Sequence, residues 1–379
     1  MIAGQRAFFS KSANATVVVE AKRLQVLCSA ILQNSGSSVE ESDAVSQNLV
    51  LSNLKGHDSH GVGYLPRYIR ASLAGDVTKN GNPEITKNGC FVNVDGMVAY
   101  GQVVGKKAMN AGIESAREHG VSIVTVKNSH HLGRIGAWAE QAVSAGFSSI
   151  HFTNVAGHTP LVAPANGADA RLGTNPVTIG FSINKSGEAP LIMDYATSEL
   201  ALGKVRETMA RSETLKDGVV LDKDGKKSND PSVMFTKPQG SLLSFSEHKG
   251  YALALMAEFF GGVLSGGNTI HPKYKRHDEM ILNSMTTVIF SPEALMPETA
   301  GNAEQEVEDL KQYMRDSPLR DDRQNDAVLI PGELEQQAFE HRSVHGIPLA
   351  KGTYEDLMQV AKEVNMSKAE SKSLLFQSL

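Results

Sequence analysis

The chain has 379 residues, of which 41% are hydrophobic and 21% are charged, so it can bury one large core or two ordinary ones and gives no sign of bulk disorder. Its 42 acidic and 37 basic residues are spread along the whole length and leave a formal charge of −5. No basic face is expected that could neutralise phosphates, so nucleic acid is not a predicted partner.

The N-terminal part is predicted to be helical. Apolar residues recur at helical spacing over 17–56, and the helix-start signal Ser37-Ser-Val-Glu-Glu41 divides this stretch into two helices. A short helix follows Pro66, and 79–83 is rich in turn residues. We therefore predict a helical segment over 15–85. The first nineteen residues lack acidic side chains, and we interpret them as a frayed terminus in preference to an organelle transit peptide.

Strands and helices alternate through the middle of the chain, which predicts an α/β domain over 86–300. A hairpin is expected over 90–100, and helices near 106–119 and through Trp138. The other predicted strands are 121–126, 148–153, 177–183, 190–193 and 286–290. The helical pattern returns from Glu304, which predicts a C-terminal helical segment over 301–379.

Several common binding classes lack their sequence signals. The chain contains no G-x-G-x-x-G turn of the Rossmann type and no G-x-x-x-x-G-K-S/T loop, so any nucleotide must bind in another way. No apolar run reaches the roughly 20 residues that span a bilayer, so a membrane partner is not predicted. Cys28 and Cys90 form no C-x-x-C pair, which argues against a disulfide framework and favours a reducing compartment, the cytoplasm.

Two short stretches combine imidazoles with hydroxyls and glycines: Lys55-Gly-His-Asp-Ser-His-Gly61 and Asn128-Ser-His-His-Leu-Gly133. Histidine titrates near neutral pH, a neighbouring Ser or Asp can select its tautomer, and glycine lets the backbone approach a ligand. The combination indicates an enzyme that transfers protons. Zinc is not expected, because adjacent histidines such as His130 and His131 point in different directions and rarely bind one ion.

The residues alone leave structural interpretations open. Ser59 could serve only as a helix cap beside His60. Asp194, at the end of an apolar strand, could orient an imidazole or simply cap the next helix. His248 begins an apolar helix whose N-terminus favours an anion, although ordinary capping explains it equally well.

Six motifs follow one another in a characteristic order: His57-Asp-Ser-His-Gly61, Asn128-Ser-His-His-Leu-Gly133, Leu172-Gly-Thr-Asn-Pro176, Met193-Asp-Tyr-Ala-Thr-Ser198, His248-Lys-Gly-Tyr251 and Leu329-Ile-Pro-Gly-Glu333. Together they resemble the malate/L-lactate dehydrogenase family of non-Rossmann nicotinamide oxidoreductases. The resemblance extends from about residue 20 to the C-terminus. It implies a mixed α/β cofactor domain, a helical domain built from the chain ends, and a homodimer.

The resemblance also implies a reaction. The cofactor would be NAD or NADP, and the substrate pair a small 2-hydroxy acid and its 2-oxo acid, of the malate, lactate, phenyllactate or hydroxyphenyllactate type. Reduction of a cyclic imine, such as a piperideine or pyrroline carboxylate, is the alternative within the family, together with oxidation of ureidoglycolate or a sugar acid. No metal is implied.

The same resemblance assigns roles to individual residues. His60 would be the acid/base with Ser59 and Asp194 as relay partners, and His131 is the second candidate for proton transfer. The residues expected to line the cofactor cleft are His60, Gly133, Arg134, Ile135, Ile192, Met193, Asp194, Tyr195, Ala196, His248, Asn283, Gly332, Glu333, Leu334 and Glu335.

Position 64 departs from the family pattern. Many members have an arginine four residues after the histidine that matches His60, where it is suited to a bidentate grip on a carboxylate, but this chain has Tyr64. Tyr64 could line a roomier apolar pocket, while Arg67, Arg70 or Arg134 supplies the charge. Tyr64, Arg67 and Arg134 are therefore the predicted substrate-binding residues.

Overall fold

The computed structural model of the chain describes residues 16–274, 280–296, 301–323 and 326–376. Most of the predicted frayed terminus, 1–15, lies outside these residues. The helices are α1 (Ala21–Asn34), α2 (Val39–Leu54), α3 (Leu65–Leu73), α4 (Gly101–His119), α5 (Gly136–Ser144), α6 (Leu202–Ala210), α7 (His248–Ala257), α8 (Pro292–Leu295), α9 (Ala303–Arg315), α10 (Glu333–His345), α11 (Lys351–Glu363) and α12 (Lys368–Phe376).

The strands are β1 (Thr16–Val19), β2 (Glu84–Asn88), β3 (Phe91–Asp95), β4 (Val121–His130), β5 (Ser148–Ala156), β6 (Val177–Phe181), β7 (Leu191–Tyr195), β8 (Val220–Leu221), β9 (Lys227–Ser228), β10 (Ser241–Leu242), β11 (Leu282–Phe290) and β12 (Ile347–Ala350). Short 3-10 turns at Asp58–His60 and Val62–Tyr64 connect α2 to α3, and α7 continues into a π-helical segment, Glu258–Leu264.

Helices from both ends of the chain share one apolar core. Leu27 and Leu49 of the N-terminal helices belong to the same buried cluster as Leu357 and Leu375 near the C-terminus. Strand β1 also pairs antiparallel with β12. The predicted helices at both ends are confirmed, whereas the boundaries 15–85, 86–300 and 301–379 stay a prediction.

A seven-stranded sheet forms the middle of the molecule, in the order β2-β3-β4-β11-β5-β6-β7. Only β3 and β4 are parallel neighbours, and α4 makes the crossover that a parallel pair requires. The sheet is therefore mixed and mainly antiparallel, which agrees with the expected mixed α/β class. The hairpin predicted over 90–100 is wrong, because the paired strands are β2 and β3, which turn at Gly89 (φ 56°).

Helices α4 and α5 cover one face of this sheet. Their apolar side chains meet those of β4 and β11 in a cluster that includes Met109, Val126, Trp138 and Ile289. A Cβ on Gly105 would lie 2.5 Å from the Trp138 ring, so the absent side chain allows α4 and α5 to pack closely.

A smaller three-stranded sheet, β10-β8-β9, carries its own core. Val205 of α6 is buried in that core with Val220 and Leu242, and this packing fixes the orientation of α6.

Both cysteines are free thiols, and burial raises the pKa of Cys28 to about 12. Within the described ranges, no helix combines the length and the apolar character needed to cross a membrane.

One buried histidine links two central strands. The His151 ring lies 2.9 Å from Thr287 Oγ1 at Nδ1 and 2.9 Å from Ser149 Oγ at Nε2. Burial lowers the pKa of His151 from 6.5 to about 4, although the Asp194 charge opposes that shift. The unfolded chain therefore binds the additional proton as the pH falls from 6.5, and stability is lost through this window.

We expect His151→Gln to flatten the pH dependence of the free energy of unfolding by about one proton, or about 1.4 kcal/mol per pH unit, over the acidic window. Urea titrations at several pH values measure this slope. His345→Gln is the control, because His345 lies exposed at the end of α10. Equal slopes for the His151 variant and the wild type would contradict the assignment.

Candidate active site

The turn that carries His60 is held by an arginine from the C-terminal part of the chain. Arg342 of α10 donates to both oxygens of Asp58, at 2.7 Å from Nη1 and 3.0 Å from Nη2. Asn53 donates to the same carboxylate at 2.6 Å and accepts from the backbone N–H of Val62 at 2.8 Å. A Cβ on Gly61 would lie 2.2 Å from the Asn53 amide oxygen. Glycine is thus required where the turn crosses Asn53.

The two histidine motifs meet in a stack of three aromatic rings. The centroids of Tyr64 and His131 are 4.7 Å apart, with an angle of 19° between their planes. His60 lies 5.7 Å from His131 and 6.0 Å from Tyr64, again nearly parallel. Folding therefore brings together both proton-transfer candidates and the residue that departs from the family pattern.

Each imidazole has a hydroxyl at its Nδ1 atom. Ser59 Oγ lies 3.0 Å from His60 Nδ1, so the expected contact between these neighbours is present. Tyr68 Oη lies 2.6 Å from His131 Nδ1 and accepts a hydrogen bond from Gln102 Nε2 at 3.1 Å. With Gln102 donating, the Tyr68 hydroxyl donates to His131 and leaves the imidazole proton on Nε2.

Tyr68 and Gln102 were missed by the sequence analysis. Tyr68 follows Tyr64 by one helical turn of α3, and Gln102 is the second residue of α4. Helical spacing places both tyrosines on one side of α3, but nothing in it points to a histidine on another element. Burial raises the pKa of Tyr68, so its hydroxyl keeps its proton.

Both stacked imidazoles are neutral at neutral pH. Burial lowers the pKa of His60 from 6.5 to about 4, the Asp194 charge raises it, and the charges of His57 and Arg134 lower it further. Burial and the neighbouring His60 also hold the pKa of His131 well below 6.5. A neutral imidazole can accept a proton, as oxidation of an alcohol requires.

Asp194 acts on His60 through its charge and not through a hydrogen bond. Its Oδ1 accepts from Thr178 Oγ1 at 2.6 Å, and its Oδ2 accepts from the N–H of Gly136 at 2.8 Å. Gly136 is the first residue of α5, so the carboxylate caps that helix at its positive end. The structure thus differs from the predicted relay, in which Asp194 contacts the imidazole, and also from a cap on the helix that follows β7.

A narrow pocket lies beside Asp194, lined by Lys55, Arg134, Glu140, Pro190, Ile192, Asp194, Gly332 and Glu335. The φ of Gly332 is 99°, and a Cβ there would lie 2.0 Å from the carbonyl oxygen of Pro190. Glycine therefore allows the start of α10 to lie against the start of β7. Five predicted cofactor residues, among them Arg134 and Glu335, line this one pocket.

Four of the five charged side chains that line the pocket, all except Asp194, are in ion pairs. Glu140 accepts from Arg134 Nη2 at 2.8 Å and from Lys55 Nζ at 2.9 Å. Arg134 is buried, and its Nε atom has no hydrogen-bond partner among the residues described. His57 Nε2 lies 3.1 Å from Glu335 Oε1. Burial alone would raise the pKa of Glu335, but the hydrogen bond from His57 and the nearby positive charges lower it, so the group is anionic.

Other predicted cleft residues lie outside the pocket lining. His248 is exposed at the start of α7, and Leu334 is 47% exposed. Glu333 accepts from Arg315 at 2.6 Å. Asn283 is buried and structural, because it donates to the Asn154 carbonyl at 2.9 Å and accepts from the Leu132 N–H at 2.8 Å.

The remaining cleft candidates divide between core and surface. Side chains alternate along β7, so Met193 and Tyr195 lie on the sheet face opposite Asp194. Ala196, half-buried, follows the end of this strand. Gly133 is buried with φ 72°, and Ile135 belongs to the core under α5.

The arginines near the rings differ in what they bind. Arg134 pairs with Glu140, and Arg70 donates twice to Glu363, at 3.0 and 3.1 Å. Arg67 is half-buried, and its charge lowers the pKa of both His130 and His131, in addition to the larger effect of burial. Of the three arginines considered from the sequence, Arg67 and Arg134 thus act on the ring stack through their charges, and Arg134 is at the same time paired with Glu140. No cluster of three or more His, Cys, Asp or Glu that could hold a metal ion occurs in the described part of the chain.

The family model for malate/L-lactate dehydrogenase matches residues 19–358. The chain belongs to this family. It is 41% identical over 349 residues to hydroxycarboxylate dehydrogenase B of Escherichia coli K12, covering 92% of this chain and 94% of that protein. The resemblance read from the six motifs is therefore confirmed.

Solved structures agree. An Escherichia coli protein described as a malate/lactate dehydrogenase superposes with a TM-score of 0.90 at 39% identity, covering 94% of this chain and 98% of that one. A delta1-piperideine-2-carboxylate reductase from Pseudomonas syringae pvar. tomato superposes with a TM-score of 0.78 at 25% identity, covering 91% and 100%. The mixed α/β fold is thus that of the family.

We expect Arg342→Lys to lower the free energy of unfolding by about 1–3 kcal/mol, because a single ammonium lacks the planar pair of nitrogens with which Arg342 meets the two Asp58 oxygens. The matched control is Arg70→Lys, which alters a similar bidentate pair on an exposed helix face and should cost at most about 0.5 kcal/mol. Urea unfolding of the two variants measures the difference. Equal losses of unfolding free energy in the two variants would show that the Arg342–Asp58 pair stabilises the fold no more than a surface ion pair does.

Proposed function

We propose that the protein transfers a hydride between a nicotinamide cofactor and a 2-hydroxy acid or its 2-oxo acid. Membership of the malate/L-lactate dehydrogenase family supports an oxidoreductase that acts on hydroxy acids. The observation that carries the proposal is the stack of His60 and His131, two neutral imidazoles with hydroxyl partners at Nδ1. Such a pair leaves two Nε2 atoms to bind the oxygen of one substrate and to exchange its proton.

The proposed roles of the imidazoles differ. In the oxidation direction, His60 accepts the proton of the 2-hydroxyl group while the Asp194 charge stabilises the imidazolium that forms. His131 carries its proton on Nε2 when Tyr68 donates to Nδ1, which suits it to hydrogen-bond the substrate oxygen. Reduction reverses the transfer, and His60 returns the proton to the new alkoxide.

The polar groups that line the pocket beside Asp194 are of the kind that bind a dinucleotide. Arg134 contributes positive charge that favours a phosphate, and the carboxylates of Asp194 and Glu335 offer acceptors for ribose hydroxyls. The close backbone at Gly332 leaves no side chain over the pocket. When bound, NAD or NADP supplies or accepts the hydride. We propose that Arg134, Ile192, Asp194, Gly332 and Glu335 hold the cofactor.

A substrate panel tests the reaction directly. With NADH or NADPH and pyruvate, oxaloacetate, phenylpyruvate or hydroxyphenylpyruvate, at least one pair should cause loss of the reduced-nicotinamide absorbance. His60→Asn should lower kcat by about 100-fold or more with little change in the cofactor Kd, whereas the surface control His345→Asn should leave both unchanged. Full activity of His60→Asn together with an inactive His131→Asn would move the acid/base role to His131.

Cyclic imine reduction is the second candidate, because the reductase from Pseudomonas syringae shares the fold over its whole length. Hydride transfer to C=N and to C=O makes similar demands on the protein. The same panel should therefore include piperideine-2-carboxylate and pyrroline-2-carboxylate. Activity with these imines and none with the four oxo acids would replace the first proposal by the second.

We also propose a homodimer formed through one face of the sheet. Ile179, Phe181 and Tyr195 project from the face of β6 and β7 opposite α5, and they are 38–41% exposed. Phe152 on the same face stacks with Phe260 of the π-helical segment at 4.9 Å, which extends the apolar surface. An apolar patch that spans two strands and a helix is typical of a subunit interface.

Sedimentation should show a dimer for the wild type and a monomer for Phe181→Lys, because a buried charge would oppose association. The matched control is Phe91→Lys, since Phe91 is 50% exposed on β3, and three strands separate β3 from β6 in the sheet. A dimeric Phe181→Lys protein, or a monomeric wild type, would contradict this interface.

A further inference from the structure

The proposed substrate carries a carboxylate, and the residue that binds it has to be found outside the family pattern. Position 64 holds a tyrosine. Arg134 and Arg70 are already paired with Glu140 and Glu363, so releasing either would break an ion pair. The other candidates are Arg67 of α3 and any cation that a neighbouring element brings to the ring stack.

Helix α6 lies directly against the His60 turn. A Cβ on Gly203 would come within 2.9 Å of the Ser59 Cβ, so glycine allows this helix to touch the residue next to the proposed acid/base. Arg206 follows Gly203 by three residues and shares the same side of the helix. The packing of Val205 in the small-sheet core holds α6 in this orientation.

The Arg206 side chain is exposed and available. Its guanidinium carbon lies 5.7 Å from the centroid of the Phe235 ring, a cation–π contact that supports the side chain without neutralising it. No ion pair of Arg206 occurs among the described residues. Burial raises the pKa of Tyr64, and the charges of Arg67 and Arg206 oppose that rise, so both arginines act on the phenol.

We propose that Arg206 is a specificity-determining residue that binds the 2-carboxylate of the substrate from α6, the helix that packs against the His60 turn. Arg67 contributes further positive charge from α3. This inference rests on the proposed oxidoreductase function and names the group that selects its substrates. It also explains how Tyr64 can replace an arginine: the carboxylate-binding charge has moved to another helix.

The test compares a charged substrate with its neutral analogue. Arg206→Met should raise KM at least about 30-fold for the most active 2-oxo acid of the panel, because a charge-assisted bidentate contact is lost. The reaction with the methyl ester of the same acid should change less than about twofold. Arg206→Lys should restore part of the affinity for the acid.

The control is Arg117→Met, because Arg117 is likewise exposed and lies 5.9 Å from the Phe147 ring, at the end of α4. Equal effects of Arg206→Met on acid and ester, or effects no larger than those of Arg117→Met, would overturn the proposal. If the wild type reduces none of the oxo acids, the proposed function fails by itself. Calorimetry with oxamate, which carries a carboxylate, then tests Arg206 alone. Weaker binding of oxamate to Arg206→Met than to the wild type would support Arg206 as the carboxylate-binding residue. Equal binding to the two proteins, or no binding to either, would refute it.

Discussion

The bidentate pair between Arg342 and Asp58 governs the geometry of the candidate site. It joins α10, from the C-terminal part of the chain, to the turn that presents His60. The same helix begins at Gly332 against β7, the strand that carries Asp194. One helix therefore sets the positions of the imidazole turn and of the pocket beside it, and a shift of α10 would disturb both.

Burial, more than any single contact, gives the site its chemistry. The rings of His60, Tyr64 and His131 cover one another, which removes water and favours the neutral imidazoles. Hydroxyl groups at both Nδ1 atoms leave the Nε2 atoms for the proposed substrate. The Asp194 charge partly offsets the cost of protonating His60, which the proposed proton transfer requires.

Strand β7 and helix α6 each serve two parts of the molecule. On β7, Asp194 caps α5 beneath the sheet, while Tyr195 extends the apolar face on the other side. On α6, Val205 is buried in the small-sheet core, while Gly203 contacts the His60 turn. Strand β7 therefore joins the candidate site to the proposed interface, and helix α6 joins the candidate site to the three-stranded sheet.

Periodicity and ordered motifs were sufficient to predict the helices at both ends, the α/β middle of the chain and the family. All three can be read from local spacing and residue type. They also indicated His60, Ser59 and His131. They could not indicate Tyr68, Gln102 or Arg342, whose partners lie between 34 and 284 residues away in the sequence. They also misplaced the hairpin and gave Asp194 a direct contact with the imidazole. Strand pairing and hydrogen-bond partners are chosen by long-range packing, and only the folded chain brings those groups within reach of each other.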